Sequence, residues 1–375
     1  MATIEPYETK AGTRYRVRYR KPDGKQTDKR GFARKRDAEQ FANTVEVRKM
    51  SGEYVAPSLG RVTVADIAAG PDDDPASAGW LRRKKAETAP SNYRTLETSW
   101  RVHVKPRWGG IRIGDQAALN IGTVETWIAE LVEHGYSATV VIRAYGVLAG
   151  VLDSAVKERR IAANPVRGVE NLPRKSRKRH IYLQAGDVSR LARESKRHRV
   201  LVLVLAYCGL RWGEAIALRV RDVDFLRRRL TVADNAVQLG VDHAVGETKG
   251  RRVRSVPVPK FVVDELSVVC KGKGREDLLF PHPDDPAEYL PRPKSVGGWF
   301  AGAVKRAGVQ AITPHDLRHT CASLAVSAGV NVLALARMLG HKDPSVTLKV
   351  YADLFDSDLD RAAAAMDKAY AAIGA

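Results

Sequence analysis

Cysteine is scarce: three residues in 375, Cys208, Cys270 and Cys321, set far apart. That spacing supplies neither a disulfide framework nor the paired thiols of a zinc site. No stretch approaches the roughly 20 consecutive apolar residues that cross a bilayer. Val200 to Gly209 has only the length of a buried helix, so no membrane partner is expected. The opening residues, Met1-Ala2-Thr3-Ile4-Glu5-Pro6, carry an acid and no apolar core, which excludes a secretory signal and points to a cytoplasmic protein. Acidic residues are also short, 43 against 63 Lys and Arg, for a formal net charge of +20. Such a surplus suits a polyanion more than a small metabolite, because phosphate neutralisation by Lys and Arg is the main source of nucleic-acid affinity. An acidic membrane surface is the alternative.

The length allows two or three domains, each with its own core. The first sixty residues hold 14 Lys and Arg against 8 Asp and Glu. Arg14, Arg16, Arg18 and Arg20 alternate with Tyr15, Val17 and Tyr19, a period-two pattern that places guanidiniums on one face of a strand and apolar groups on the other. Pro22-Asp23-Gly24-Lys25 predicts a turn, Lys25 to Gly31 a strand pairing back, and the residues from Ala33 to Ala42 a short helix with Ala38, Phe41 and Ala42 inward. Guanidiniums on one sheet face suit DNA groove edges or backbone phosphates.

Pro57-Ser58-Leu59-Gly60 ends this module. Val62 to Val169 reads as helical, with helices predicted over Val64 to Ala69, Tyr93 to Val104, Val124 to Glu133 and Val140 to Arg159. Gly70 to Pro75 is predicted as a loop, and Asn164-Pro165 is predicted to close the last helix. Arg174, Lys175, Arg177, Lys178 and Arg179 then place five cations in six positions, a solvated linker able to lie along a phosphate backbone.

Beyond Ile181 the pattern mixes helix and strand. An apolar helix over Val200 to Tyr207 stops near Gly209, and Arg211 opens the next with Glu214 one turn later. Leu230 to Val232 and Val253 to Pro259 read as strands, with Lys249-Gly250 at the turn before the second. Thr313-Pro314-His315-Asp316 is a helix start: Thr as cap, Pro at the first position, Asp reaching back. His315 and Arg318 share a face near an anion-favouring N-terminus. Leu339-Gly340-His341 follows, and Tyr351 lies ten residues after His341. Two guanidiniums, two imidazoles and a phenol in this order suit attack on a phosphate: the arginines neutralise a pentacoordinate phosphorus while the tyrosine attacks it. His315 and His319 also have the i, i+4 spacing of helical zinc ligands, but Asp316 stands where a glutamate would be needed and no third ligand stands out. No metal and no cofactor are expected.

Over roughly Asp187 to Leu354 these residues resemble the tyrosine recombinase family, and within it the phage and mobile-element integrases. The resemblance implies a site-specific DNA recombinase that cuts and rejoins DNA through a 3′-phosphotyrosine. Arg211 and Arg318 resemble the family's phosphate clamps, His315 its general base, His341 a second phosphate-contacting group and Tyr351 its nucleophile. Lys249 best matches the catalytic hairpin lysine, although Arg251 and Arg252 crowd the same turn. Glu214 would orient Arg211. The stretch from Asp153 through Val166 resembles a helical core-site-binding domain, and the first sixty residues resemble small sheet-and-helix domains that bind arm-type DNA.

The expected architecture is multidomain, mainly α with α+β parts: an arm-binding sheet-plus-helix domain (1–60), a helical core-binding domain (61–172), a basic linker (173–180) and a mixed α/β catalytic domain (181–375). The last ends in an alanine-rich helix over Asp358 to Ile373 that docks on its own domain or on a neighbour. The resemblance implies double-stranded attachment sites as partners, a homotetramer on DNA, and room for a host DNA-bending protein and an excisionase around the nucleoid. A chromosome-dimer resolvase normally lacks the N-terminal module. A non-cutting regulator of the same fold has no need of all six site residues. These two remain the alternatives.

Overall fold

The computed structural model describes residues 2–21, 24–50, 54–70, 79–175, 180–240, 242–247, 253–341, 343–351, 366–367 and 370–371. The chain divides into two compact units, Met1–Ser176 and Arg177–Ala375. The division falls inside the basic run, of which Arg174 and Lys175 are exposed while Arg177, Lys178 and Arg179 lie outside the described residues. Most of the alanine-rich C-terminal helix and the greater part of the Gly70 to Pro75 loop also lie outside them.

In the first unit, β1 (Thr3–Thr9), β2 (Gly12–Arg20) and β3 (Gln26–Phe32) form an antiparallel sheet with β2 central. The period-two pattern of β2 is realised: Val17 and Tyr19 are buried with Ala38, Ala42 and Val45 of α1 (Lys35–Met50). The sequence predicts β3 and the start of α1 but not β1, whose Pro6 and mixed composition carry little strand signal. Pairing with β2, Ile4 opposite Val17 and Glu5 opposite Arg16, decides that segment. The helix is also longer than the short one predicted, running to Met50 because Val45 extends its buried stripe.

The remainder of this unit is helical: α2 (Val64–Ala69), α3 (Trp80–Glu87), α4 (Pro90–Ser99), α5 (Lys105–Trp108), α6 (Ile121–Glu133) and α7 (Ala138–Lys157). Thr63 caps α2 reciprocally, its hydroxyl accepting from the Asp66 N–H at 3.2 Å while Asp66 accepts from the Thr63 N–H at 2.7 Å. A π-type turn over Trp100–Val104 joins α4 to α5, with the Lys105 N–H donating to the Trp100 carbonyl. Pro106 has no N–H to offer the preceding turn, and the widened turn absorbs the missing bond. The sequence does not predict α3, a charged segment held by Trp80 in the core. Nor does α7 run to Asn164-Pro165. It ends at Lys157, with Arg159 at φ 54, and the Asn164 amide instead donates to the Ala149 carbonyl at 2.9 Å.

By length and apolarity α7 alone among the described helices could cross a membrane, a property that inspection of apolar runs overlooks. Its Val141, Ala144, Val147, Leu148, Val151 and Leu152 are fully buried in the helical core, so its hydrophobicity is used in packing.

The second unit is built on α9 (Arg199–Cys208), apolar all round and enclosed by α8 (Ala185–Glu194), α10 (Trp212–Ala217), α11 (Lys260–Cys270) and the later helices. β4 (Val223–Asp224), β5 (Arg229–Val232) and β8 (Arg254–Pro257) form one antiparallel sheet, with Leu230 opposite Val256. β6 (Asp234–Leu239) and β7 (Asp242–Glu247) form a separate hairpin, missing from the sequence reading. The chain then forms α12 (Trp299–Ala307), α13 (Pro314–Ser327), α14 (Val332–Leu339) and α15 (Pro344–Tyr351). The cap of α13 is as predicted, with the Thr313 N–H and hydroxyl both donating to Asp316 at 2.7 Å.

Gly209 stops α9 in the left-handed region, at φ 65. A Cβ there would lie 2.7 Å from Leu339 Cδ2 and 3.1 Å from Cys321 Sγ. Gly209→Ala is expected to destabilise this unit by about 2 kcal/mol or more, from left-handed strain and overpacking together. Urea unfolding would show a lower midpoint at unchanged slope.

Candidate active site

Arg211 is the N-cap of α10, and this local fold binds it to Glu214: its N–H donates to Oε2 and its Nη1 to Oε1, both at 2.9 Å. Glu214 is 1% exposed. On β8, forty residues away in sequence, Arg254 grips the same carboxylate with two bonds, Nη1 to Oε1 at 3.0 Å and Nη2 to Oε2 at 2.6 Å. Its Nε donates to the Met338 carbonyl at 3.2 Å. Burial opposes ionisation of Glu214, but the bonds and charge of Arg254, with those of Arg211, bring its pKa down to about 2.

Arg318 on α13 is 2% exposed. Its Nη1 donates to the Gly209 carbonyl and its Nη2 to the Leu339 carbonyl, both at 2.6 Å, and Nη2 also reaches His341 Nε2 at 3.1 Å. A guanidinium has no acceptor, so Nε2 accepts, and the proton of His341 sits on Nδ1, which donates to Thr347 Oγ1 at 2.7 Å. Gly340 makes this possible: at φ 69 it turns the chain out of α14, and a Cβ on it would stand 2.9 Å from Arg254 Nε. Burial, then repulsion from Arg211, lowers the pKa of Arg318 to about 10, leaving it charged at neutral pH. Burial and the charges of Arg318, Arg211 and Arg254 push His341 down to about 4.

Tyr351, at the end of α15, is 1% exposed, and its hydroxyl lies 2.9 Å from Nδ1 of His319. Burial raises its pKa to about 12 against the pull of Arg318 and Arg211, so the phenol is protonated and donates. Burial, then His180 and His315, lowers His319 to about 4, leaving it neutral with a free lone pair. His315, the expected base, is exposed at the start of α13 and meets His319 edge-on, ring centres 5.0 Å apart. Partial desolvation, followed by Arg318, Arg292 and Arg211 and opposed by Asp316, lowers its pKa. The structure thus brings Arg211, Arg318, His341 and Tyr351 into one electrostatic cluster and sets His315 at its edge. Lys249, Arg251 and Arg252 lie outside the described residues.

Sequence reasoning missed Arg254, Thr347 and the contact of His319 with the phenol. The signal for His319 was its place directly after Arg318. Arg254 had none, since its partner is distant in sequence. In the N-terminal sheet the arginine face is partly neutralised: Arg16 and Arg18 both pair with Glu5, at 2.6 and 3.2 Å, and Arg20 donates to the Gly24 carbonyl. Among the described residues no group of three or more His, Cys, Asp or Glu is arranged to hold a metal ion.

The site thus sets two guanidiniums on one buried carboxylate, and a third that is buried, in the same cluster as a buried phenol, an arrangement able to receive a phosphate. The phage integrase family model matches residues 182–358. A protein described as a phiRv2 prophage integrase of Mycobacterium tuberculosis is 26% identical over 344 residues, covering 90% of this chain and 88% of that one. The fold is shared with the Tn1549 transposon integrase, solved with a circular-intermediate DNA, at a TM-score of 0.64 and 20% identity over 80% of this chain and 99% of that one. It is shared also with lambda integrase, solved as a tetramer on a Holliday junction, at 0.56 and 16% over 92% and 94%. Residues 182–358 thus match the phage integrase family, and the likeness of the chain to a prophage integrase supports a tyrosine recombinase of the phage and mobile-element type. The chain is a site-specific recombinase of the integrase kind.

Groups whose folded pKa is depressed contribute stability above the unfolded pKa and lose it as pH falls toward the folded one. For His319 and His341 that window runs from 6.5 down to about 4, and for Glu214 from 4.5 down to about 2. The melting temperature of the second unit is therefore expected to be flat above pH 7 and to fall progressively below 6.5. Circular dichroism melts across this range check it, and His341→Asn should shallow the upper part of the decline.

Proposed function

We propose that the chain integrates, and in the reverse direction excises, a phage or mobile element by attack of Tyr351 on a DNA phosphodiester. The observation that carries this reading is the charge of the cluster: among the described residues Arg211 and Arg254 pair with the carboxylate of Glu214, while Arg318 is held by the carbonyls of Gly209 and Leu339 and pairs with no carboxylate. This surplus of positive charge suits a phosphate beside the tyrosine hydroxyl. Arg211 and Arg318 stabilise the non-bridging oxygens as charge builds at phosphorus, a role suited to fixed guanidinium forks. His341, which accepts from Arg318 and donates to Thr347, holds that guanidinium in place, and His315 stands at the exposed edge where the substrate arrives. Lys249 is assigned the proton for the departing 5′-oxygen. The 3′-phosphotyrosine stores the bond energy, so religation needs neither nucleotide nor metal.

The basic sheet of residues 1–60 is assigned to arm-type DNA, the helical part to the core site, and Arg174 to Arg179 to the backbone between them. This module favours an integrase over a chromosome-dimer resolvase, and the assembled cluster favours a cutting enzyme over a regulator. Lambda integrase was solved as a tetramer on a junction. We assign the same assembly to this chain, acting on cytoplasmic, nucleoid-associated DNA with a host bending protein and an excisionase as accessory factors.

Tyr351→Phe removes one hydroxyl from a buried ring. It is expected to leave DNA affinity unchanged while abolishing the covalent protein–DNA adduct on a nicked suicide substrate. An adduct formed by this variant would place the nucleophile elsewhere, with Tyr370 the next candidate.

Removal of residues 1–60 is expected to spare core-site binding and to lower integration severely. In band-shift titrations the full chain should hold arm DNA with an affinity that drops steeply with salt, and the shortened chain should not. Equal arm affinity in both would detach the sheet from DNA recognition.

A further inference from the structure

The hydroxyl of the nucleophile assigned above has a hydrogen-bond partner among the described residues, and it is not the histidine that the family pattern supplies. The Tyr351 hydroxyl lies 2.9 Å from His319 Nδ1, inside a site where the tyrosine is 1% and the histidine 8% exposed. His315 meets this pair only through the edge of the His319 ring. His180, from the segment before α8, lies over His319 with ring centres 4.0 Å apart and planes inclined by 32°. His319 is thus fixed by packing from a second segment, with its Nδ1 lone pair aimed at the atom that must lose a proton.

We propose that His319 is a catalytic residue, which holds the Tyr351 hydroxyl and takes its proton as the phenol oxygen bonds to phosphorus. The inference rests on Tyr351 being the nucleophile. In the forward step the O–H bond breaks and the proton moves to Nδ1. The Tyr351 Oη–P bond forms, and the P–O5′ bond breaks with its electron pair on the 5′-oxygen. That oxygen takes a proton from the acid assigned above to Lys249. In religation the 5′-hydroxyl gives its proton back to the group assigned to Lys249 as its oxygen attacks phosphorus, the P–Oη bond breaks with its electron pair on the Tyr351 oxygen, and Nδ1 of His319 returns the proton to that oxygen.

The surroundings explain why a weakly basic imidazole serves. Among the described residues the groups facing His319 are His180 from the segment before α8, Tyr351 from α15, and His315, Asp316 and Arg318 on α13 itself. Without DNA, burial and this largely cationic or neutral company keep the ring neutral and the phenol protonated, so the nucleophile is held ready but unionised. A bound phosphate brings negative charge beside Arg318, and more builds at phosphorus in the transition state. Both favour a proton on the ring. The base is strengthened only when substrate is present, which guards the tyrosine from idle chemistry.

The test uses the full chain and single-turnover cleavage of a nicked suicide substrate. His319→Ala is expected to cleave on the order of 100-fold or more slowly, the usual contribution of a general base, with DNA affinity and melting temperature near those of the parent. Added imidazole should restore part of its rate and leave the parent unaffected. His319→Gln can accept the hydrogen bond but not the proton. It is expected to remain slow, with a rate that rises more steeply with pH than the parent's, and it carries the test if the alanine variant does not fold. Cleavage by either variant within threefold of the parent overturns the proposal. So does a slow rate with neither an imidazole response nor a steeper pH dependence, which would reduce His319 to packing support for α13. Adducts formed by Tyr351→Phe would instead overturn the reading of Tyr351 as nucleophile, a separate result.

Discussion

The catalytic unit depends on how a buried guanidinium is kept charged. Arg318 donates to the carbonyls of Gly209 and Leu339, at the C-terminal ends of α9 and α14. Both helices end in glycines in the left-handed region, Gly209 and Gly340, which turn the chain away and leave the terminal carbonyls free to accept. The negative ends of two helix dipoles converge on one cation and offset the cost of removing it from water. The same bonds fix the segment that carries His341 and, beyond it, Tyr351.

A second network rests on Glu214. Its carboxylate holds Arg211 from its own helix and Arg254 from β8, and Arg254 in turn reaches Met338 one residue before Leu339. The two networks therefore meet at the end of α14. Displacing any member strands a buried charge, which costs far more than a surface ion pair contributes. The cluster retains more positive than negative charge, and the surrounding histidines respond by remaining neutral. His341 then accepts from Arg318 and His319 accepts from Tyr351. Imidazoles already protonated could do neither.

The N-terminal sheet treats its charge differently. Glu5 pairs with both Arg16 and Arg18, so a strand that reads as a row of bare cations is in part an internal ion-pair network. Exposed pairs of this kind add little to stability, but they orient the guanidiniums, and a phosphate that approaches them must compete with a carboxylate.

Features that depend on a few neighbouring residues were legible in the sequence. The cap at Thr313, the stop at Gly209, the alternation through Val17 and Tyr19, and the ordered set of arginines, histidines and tyrosine all follow from short-range rules of backbone geometry and from residue chemistry. Helical or strand periodicity says which face a side chain occupies, not what lies opposite. That is why β1 and the β6–β7 hairpin were missed, and why the partners of Glu214 and Glu5 emerged only from the fold. The histidines show the limit most clearly. His315 and His319 stand one turn apart on α13 and have the same side chain, and which of them meets the phenol depends on where α14 and α15 return the chain. Residue type and order were determined by the sequence, whereas the tertiary structure alone decided that His319 touches Tyr351, because a hydrogen bond is settled by tenths of an ångström between segments that local rules do not relate.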